Sequence, residues 1–196
     1  MKKTRTFTVV PAFAVVLCVS LASPLYSAPP DWANSGKPMW EITGASWIEH
    51  PSNPRFAIYN LGTMVESDDV VLDKETRLVW TRMAGTTSRN WYEATYDCYG
   101  KYAGGRMGWR LPANEELLSL AVRPDGGTGI TLPTGHPFTL SSEGQPSYWT
   151  STTIAEYPNA AYTLCFSTAG CLVEAVKETG SNYVWCVRGG SGHDGY

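Results

Sequence analysis

Three histidines, a few neighbouring carboxylates and a set of cysteines are the side chains here whose types could do chemistry. A Ser-His-Asp site needs a base positioned beside its nucleophile. His193 stands in a Gly-rich tail, His50 beside prolines, and His136 between Gly135 and Pro137. Such neighbourhoods mark surface loops, and only His136 is kept, as a ligand contact. Asp68, Asp69 and Asp73 offer carboxylates of the kind calcium takes. Their spacing matches no EF-hand loop, and a solvated turn accounts for them. Glu115 and Glu116 lie at a helix start, where acidic side chains favour the dipole, which is a better account than a glycosidase pair. No catalytic residue, no metal ligand and no cofactor is expected.

The cysteines point to structure. Cys18 lies in an apolar leader, which leaves Cys98, Cys165, Cys171 and Cys186. An even count in an exported chain implies two disulfides. Three pairings are open. Zinc is the alternative, but steps of six and fifteen residues between the last three fit no CxxC-type knuckle.

Positioning falls to short elements. Residues 56–61 and 70–73 are strand-like, 73–76 is a turn, and 78–81 is the returning strand. A first helix runs from about Trp91 to Gly100, with Asn90 as cap and Glu93 completing a capping box. Trp91, Ala94, Thr95 and Cys98 share one face, which puts Cys98 on the buried side. Pro112 is tolerated at a second helix start, with Leu117, Leu118 and Leu120 as core residues. Residues 122–145 hold five glycines, three prolines and no hydrophobic period. Long loops of this kind are functional or disordered. Strands follow at 148–152, 161–166, 172–177 and 183–188, with a hairpin turn at 167–170.

The leader settles the compartment. Lys2, Lys3 and Arg5 precede an uncharged apolar run over 7–22, and small residues follow. Residues 1–28 therefore read as a secretory signal peptide, not as a retained anchor. Leu17 stands before Cys18 where a lipid-attachment site has a small residue. The leader holds three of the fifteen basic residues and no acidic one. Twelve remain against eighteen acidic, a formal charge of −6. That balance argues against nucleic acid and against anionic membranes. About 170 residues remain, enough for one cored domain. No stable membrane insertion is expected after cleavage, and the chain is expected in the periplasm or outside the cell.

Four segments, in order, resemble one family. They are Asp73-x-x-Thr76-x-Leu78-Val79-Trp80, the helix Trp91-x-x-Ala94 to Cys98, the block Gly108-Trp109-Arg110-Leu111-Pro112 with Glu116-Leu117, and Tyr148-Trp149-Thr150-Ser151 with Cys186-Val187-Arg188. The chain resembles the Lcl C-terminal domain family, named after a bacterial collagen-like adhesin, over about 56–190. The resemblance implies an α+β, C-type-lectin-like fold: two helices on a small, mostly antiparallel sheet, disulfide-stapled, with chain ends close together. It pairs Cys98 with Cys186 and leaves Cys165 with Cys171. A cysteine-based oxidase on a related fold would need a reactive thiol pair, which this framework argues against. The organisation is then leader 1–28, irregular arm 29–55, domain 56–190 and flexible tail 191–196.

Two positions depart from the family pattern. Ala113 stands where a Thr caps the second helix, so Asn114 caps instead or about 1 kcal/mol is lost. Arg77 replaces a Gly, and a left-handed turn there would be strained.

Eight tryptophans and eleven tyrosines are many. Trp80, Trp91, Trp109, Trp149 and Trp185 fall inside the motifs and are assigned to the core. Trp32, Trp40 and Trp47 lie in the arm. Tyr157 and Tyr162, with Arg123, Asp125 and His136 of the long loop, are the ligand-contact candidates. The expected function is an exported, non-catalytic binding module for adhesion or glycan recognition. The alternative is a periplasmic assembly subunit that docks another protein through its arm; an enzyme is the third and weakest reading. The resemblance suggests sulfated polysaccharides as a ligand class. A polyanion binder needs a clustered basic face, for which Arg82, Arg89, Lys101, Arg106 and Arg110 are the available group.

Overall fold

A computed structural model describes residues 47–60, 69–123, 129–141, 146–167 and 171–189. The expected leader and tail and most of the arm lie outside the described residues, as do Asp68, Asp125 and His193.

Strands β1 (Ile48–Glu49), β2 (Phe56–Tyr59), β3 (Val70–Asp73) and β4 (Val79–Thr81) follow one another, each antiparallel to the last. The β3–β4 turn is organised by Asp73. Its carboxylate accepts from the Glu75 N–H at 3.1 Å and from the Thr76 hydroxyl at 2.9 Å. Arg77 closes the turn in the left-handed region, at φ 61°. The turn type left open by that residue is therefore the strained one.

Helix α1 (Trp91–Tyr99) starts as its sequence dictates. Asn90 accepts from the Glu93 N–H at 2.9 Å, and the Glu93 carboxylate accepts from the Asn90 N–H at 3.1 Å. Ala94 and Cys98 are buried, but Trp91 is only partly buried and Thr95 is exposed, so the buried face is narrower than expected. Helix α2 (Asn114–Ser119) is capped at Ala113, not at Asn114. Ala113 has no side-chain acceptor, and two neighbours take its place. Glu116 accepts from the Ala113 N–H at 2.8 Å, and the Thr152 hydroxyl accepts from the Asn114 N–H at 2.9 Å. Leu117 and Leu120 are buried, while Leu118 is partly buried.

Strands β5 (Ser147–Thr153), β6 (Ala160–Cys165) and β7 (Cys171–Val176) make a second antiparallel sheet, and β8 (Val187–Arg188) closes the first against β4. The first sheet thus runs β1-β2-β3-β4-β8. One small sheet was expected; two form, because residues 183–188 divide between them. Tyr183 pairs with Tyr148 of β5, and Val187 pairs with Trp80 and Arg110. First and last strands sit at opposite edges of one sheet, about 19 Å apart at the usual strand spacing. The α+β class holds: two helices, antiparallel sheets and two disulfides.

Trp185 is the hub of one core. Its ring lies 4.9 Å from Phe138, 5.4 Å from Trp80 and 5.5 Å from Tyr148, and its indole N–H donates to the Thr81 carbonyl at 2.8 Å. Burial pushes the Tyr148 hydroxyl up to about 12. Phe138 and Leu132 come from the 122–145 stretch, so its described part, 129–141, supplies core. A second core gathers Trp109, Trp149, Ala94 and the Cys98–Cys186 pair. Gly108, at φ 83°, is packed so closely that a Cβ there would meet the Arg188 guanidinium at 2.9 Å. The left-handed backbone explains a Gly before Trp109, whereas the guanidinium, the far end of a flexible side chain, could move aside.

Candidate functional site

The charged groups that could have done chemistry are committed to the frame. Asp73 is fully buried and takes Arg55 bidentately at 2.6 and 2.8 Å. Hydrogen bonding to Asp73 raises the Arg55 guanidinium above its ordinary range. Asp69 is also fully buried and accepts from Arg82 at 2.8 Å and from Asn60 at 3.2 Å. A solvated turn was expected for both carboxylates. Both are instead internal struts, since a buried carboxylate persists only with such partners.

The basic group does not form a free cationic face. Arg82 pairs with Asp69, Arg89 with Asp97, and Arg110 bidentately with Glu116 at 2.7 Å. Arg106 is buried. Acidic partners thus intersperse three of the five basic residues.

The ligand-contact candidates separate in space. Arg123 is exposed on the segment after α2. His136 is half-buried, stacks on Phe138 at 6.0 Å, and its Nδ1 accepts from the Phe138 N–H at 3.2 Å. Burial, and then the nearby His50, hold His136 below its ordinary pKa. Its ring braces a turn. Tyr157 and Tyr162 both belong to the β5–β6–β7 region. Tyr157 is exposed on the turn before β6, and Tyr162 stands opposite Glu174 of β7. A cleft of about 300 Å³ runs there between Tyr157, Asn159, Glu174 and Val176. The Asn159 and Glu174 side chains make no hydrogen bond among the described residues. An aromatic ring thus stands beside an amide and a carboxylate that are open to a ligand.

Sequence reasoning passed over helix α1. Among its exposed positions are Tyr92, Tyr96 and Tyr99, with exposures of 58, 74 and 72%. They stand at i, i+4 and i+7, so they form one stripe, opposite Ala94 and Cys98. Tyr102, just past the helix, is exposed as well. None of the four hydroxyls makes a hydrogen bond among the described residues. Clefts flank the helix. One of about 330 Å³ lies on the Asp97 and Lys101 side, over Met83, Ala84 and Val184. Another of about 340 Å³ lies on the Thr95 side, against Trp91, Arg110 and Glu116. The same period that marks the buried face marks this one, but periodicity alone does not say which face is wet.

Trp80, Trp109, Trp149 and Trp185 are buried, as assigned. Trp91 is only partly so. Its N–H donates to the Thr150 carbonyl at 2.8 Å, and Lys177 Nζ sits 4.5 Å from its ring. The staples join Cys98 to Cys186 and Cys165 to Cys171. The model of the Lcl C-terminal domain matches residues 69–188, from Asp69 through both helices and both staples to the end of β8. The chain belongs to the Lcl C-terminal domain family. That domain is a module of bacterial collagen-like surface proteins, generally non-catalytic. No curated protein and no solved structure matches the chain. The two disulfides of this Lcl domain fit an oxidising, extracytoplasmic compartment. No helix among the described residues is long and apolar enough to cross a membrane. Among the same residues no group of three or more His, Cys, Asp or Glu is placed to hold a metal ion.

Proposed function

We propose that this Lcl domain is an exported, non-catalytic module that binds glycans in adhesion. The observation that carries the reading is the hairpin cleft, where exposed Tyr157 stands beside the unbonded Asn159 and Glu174 side chains. A sugar ring offers an apolar face and a rim of hydroxyls. Tyrosine supplies a flat apolar partner with a polar tip. Amide and carboxylate accept from hydroxyls, and the amide also donates. Tyr162, across from Glu174, extends the surface. Arg123 and His136 do not line that cleft and are outlying contacts in this reading.

The test is a broad glycan array at two salt concentrations, using the full chain exported and oxidised in a bacterial host. Selective binding that Tyr157→Ala weakens about tenfold, a loss of about 1.4 kcal/mol, is expected. Salt should change it little, because no basic side chain lines the cleft among the described residues. A folded sample with both disulfides that binds no glycan sinks the reading. One observation favours a second one. Strand β7 is an edge whose Leu172, Val173 and Val176 are exposed. Such an edge suits docking by another protein, and crosslinking to a protein partner through β7 would establish it.

A further inference from the structure

We infer that the tyrosine stripe of α1 is a second saccharide-binding surface, one for uncharged sugar chains. The inference rests on the glycan reading above but not on the hairpin cleft. Three facts set the ligand class. First, the row of α1 diametrically opposite Ala94 and Cys98 is Tyr92, Tyr96 and Tyr99, flanked by exposed Glu93, Thr95 and Asp97 with no aliphatic residue among them, and none of the three hydroxyls bonds to another described residue. Water satisfies these exposed hydroxyls in the free domain, and the hydroxyls of a sugar can take its place. Sugar faces with hydroxyl rims use both parts of the residue.

Second, the charge around the stripe is balanced. Arg89 and Lys101 stand against Glu93 and Asp97, and Arg89 pairs with Asp97 at 3.0 Å. A polyanion gains nothing from such a face, and an uncharged chain loses nothing to it. Third, the surface is small. A helix of nine residues is about 13 Å long and about 10 Å wide. That falls far below the roughly 800 Å² per partner that a stable protein interface or a second copy needs. Tyr92 to Tyr99 span about 10 Å along the axis, room for a short run of sugar rings. The flanking clefts lie where substituents of such a chain would turn down.

The experiment compares the full oxidised chain with Tyr96→Ala/Tyr99→Ala, Tyr96→Phe/Tyr99→Phe and Tyr157→Ala on arrays of neutral and sulfated glycans. Because both tyrosines are exposed, the variants should keep the parent's thermal midpoint. Neutral-glycan binding should fall about tenfold or more in the alanine pair and largely persist in the phenylalanine pair. NMR titration of the unaltered chain with the best neutral glycan should shift resonances of α1. Binding that survives the alanine pair and vanishes in Tyr157→Ala overturns this inference and leaves the hairpin reading standing. Binding confined to sulfated glycans and abolished by salt overturns it too. No glycan binding by any folded sample overturns both. A dimer whose α1 tyrosines are protected from solvent would make the stripe a contact between copies.

Discussion

Arg77 carries backbone strain that its neighbours enforce. Its N–H donates to the Asp73 carbonyl at 2.8 Å, and the Asp73 N–H donates to the Leu78 carbonyl at 2.9 Å. Asp73 is itself clamped by Arg55. The turn therefore cannot relax, and residue 77 stays left-handed at φ 61°. A non-glycine side chain there costs about 1–2 kcal/mol, of which glycine's greater unfolded freedom takes back about 0.5–1. Arg77→Gly should thus stabilise the domain by roughly 0.5–1 kcal/mol, read as a higher urea midpoint with an unchanged slope. A lower midpoint would mean that the arginine's side-chain contact outweighs the strain. The need for glycine at this place was legible from the motif. The burial of Asp73 was not, because a carboxylate in a turn looks the same in sequence whether water or an arginine eighteen residues away satisfies it.

Elements were legible in proportion to their local signals. Helix α1 announces itself through Asn90 and Glu93, and the hairpins through alternation and turn residues. What failed was anything set by distant partners. The 122–145 stretch has no period, yet Leu132 and Phe138 are core, because Trp185 and its neighbours leave room for them. The last strand divides because two sheets compete for it. The tyrosine stripe has helical spacing, but so does the buried face. Helix α2 shows the same dependence on distant groups. Thr152 of β5 and Glu116 supply what Ala113 lacks. The Glu116 N–H still has no capping side chain from residue 113. Ala113→Thr should provide it and add about 1 kcal/mol, seen as a higher thermal midpoint and slower amide exchange in the first turn. An unchanged midpoint would show that the substitutes from β5 and Glu116 already suffice.

At the scale of the molecule the two staples do unequal work. Cys98–Cys186 spans 88 residues and Cys165–Cys171 spans 6. A crosslink restricts the unfolded chain by an amount that grows with the logarithm of the loop. The long one is then worth about 4–5 kcal/mol and the short one about 2. Domains of this size are stable by about 5–15 kcal/mol in all. Cys98→Ala/Cys186→Ala should therefore remove a third or more of the stability, and Cys165→Ala/Cys171→Ala markedly less, by urea denaturation of each pair. Equal losses would sink the unfolded-chain account. The consequence reaches binding. The long staple ties α1 to the strand that closes the first sheet, so it fixes the helix that presents the tyrosines. The short staple only pins the β6–β7 hairpin, whose six paired positions already hold it. At a temperature where both variants stay folded, loss of the long staple should weaken binding at the α1 stripe, while loss of the short one should leave it intact. A stripe that keeps full affinity without Cys98–Cys186 would show that packing of Ala94 and the capping box alone hold the helix in place.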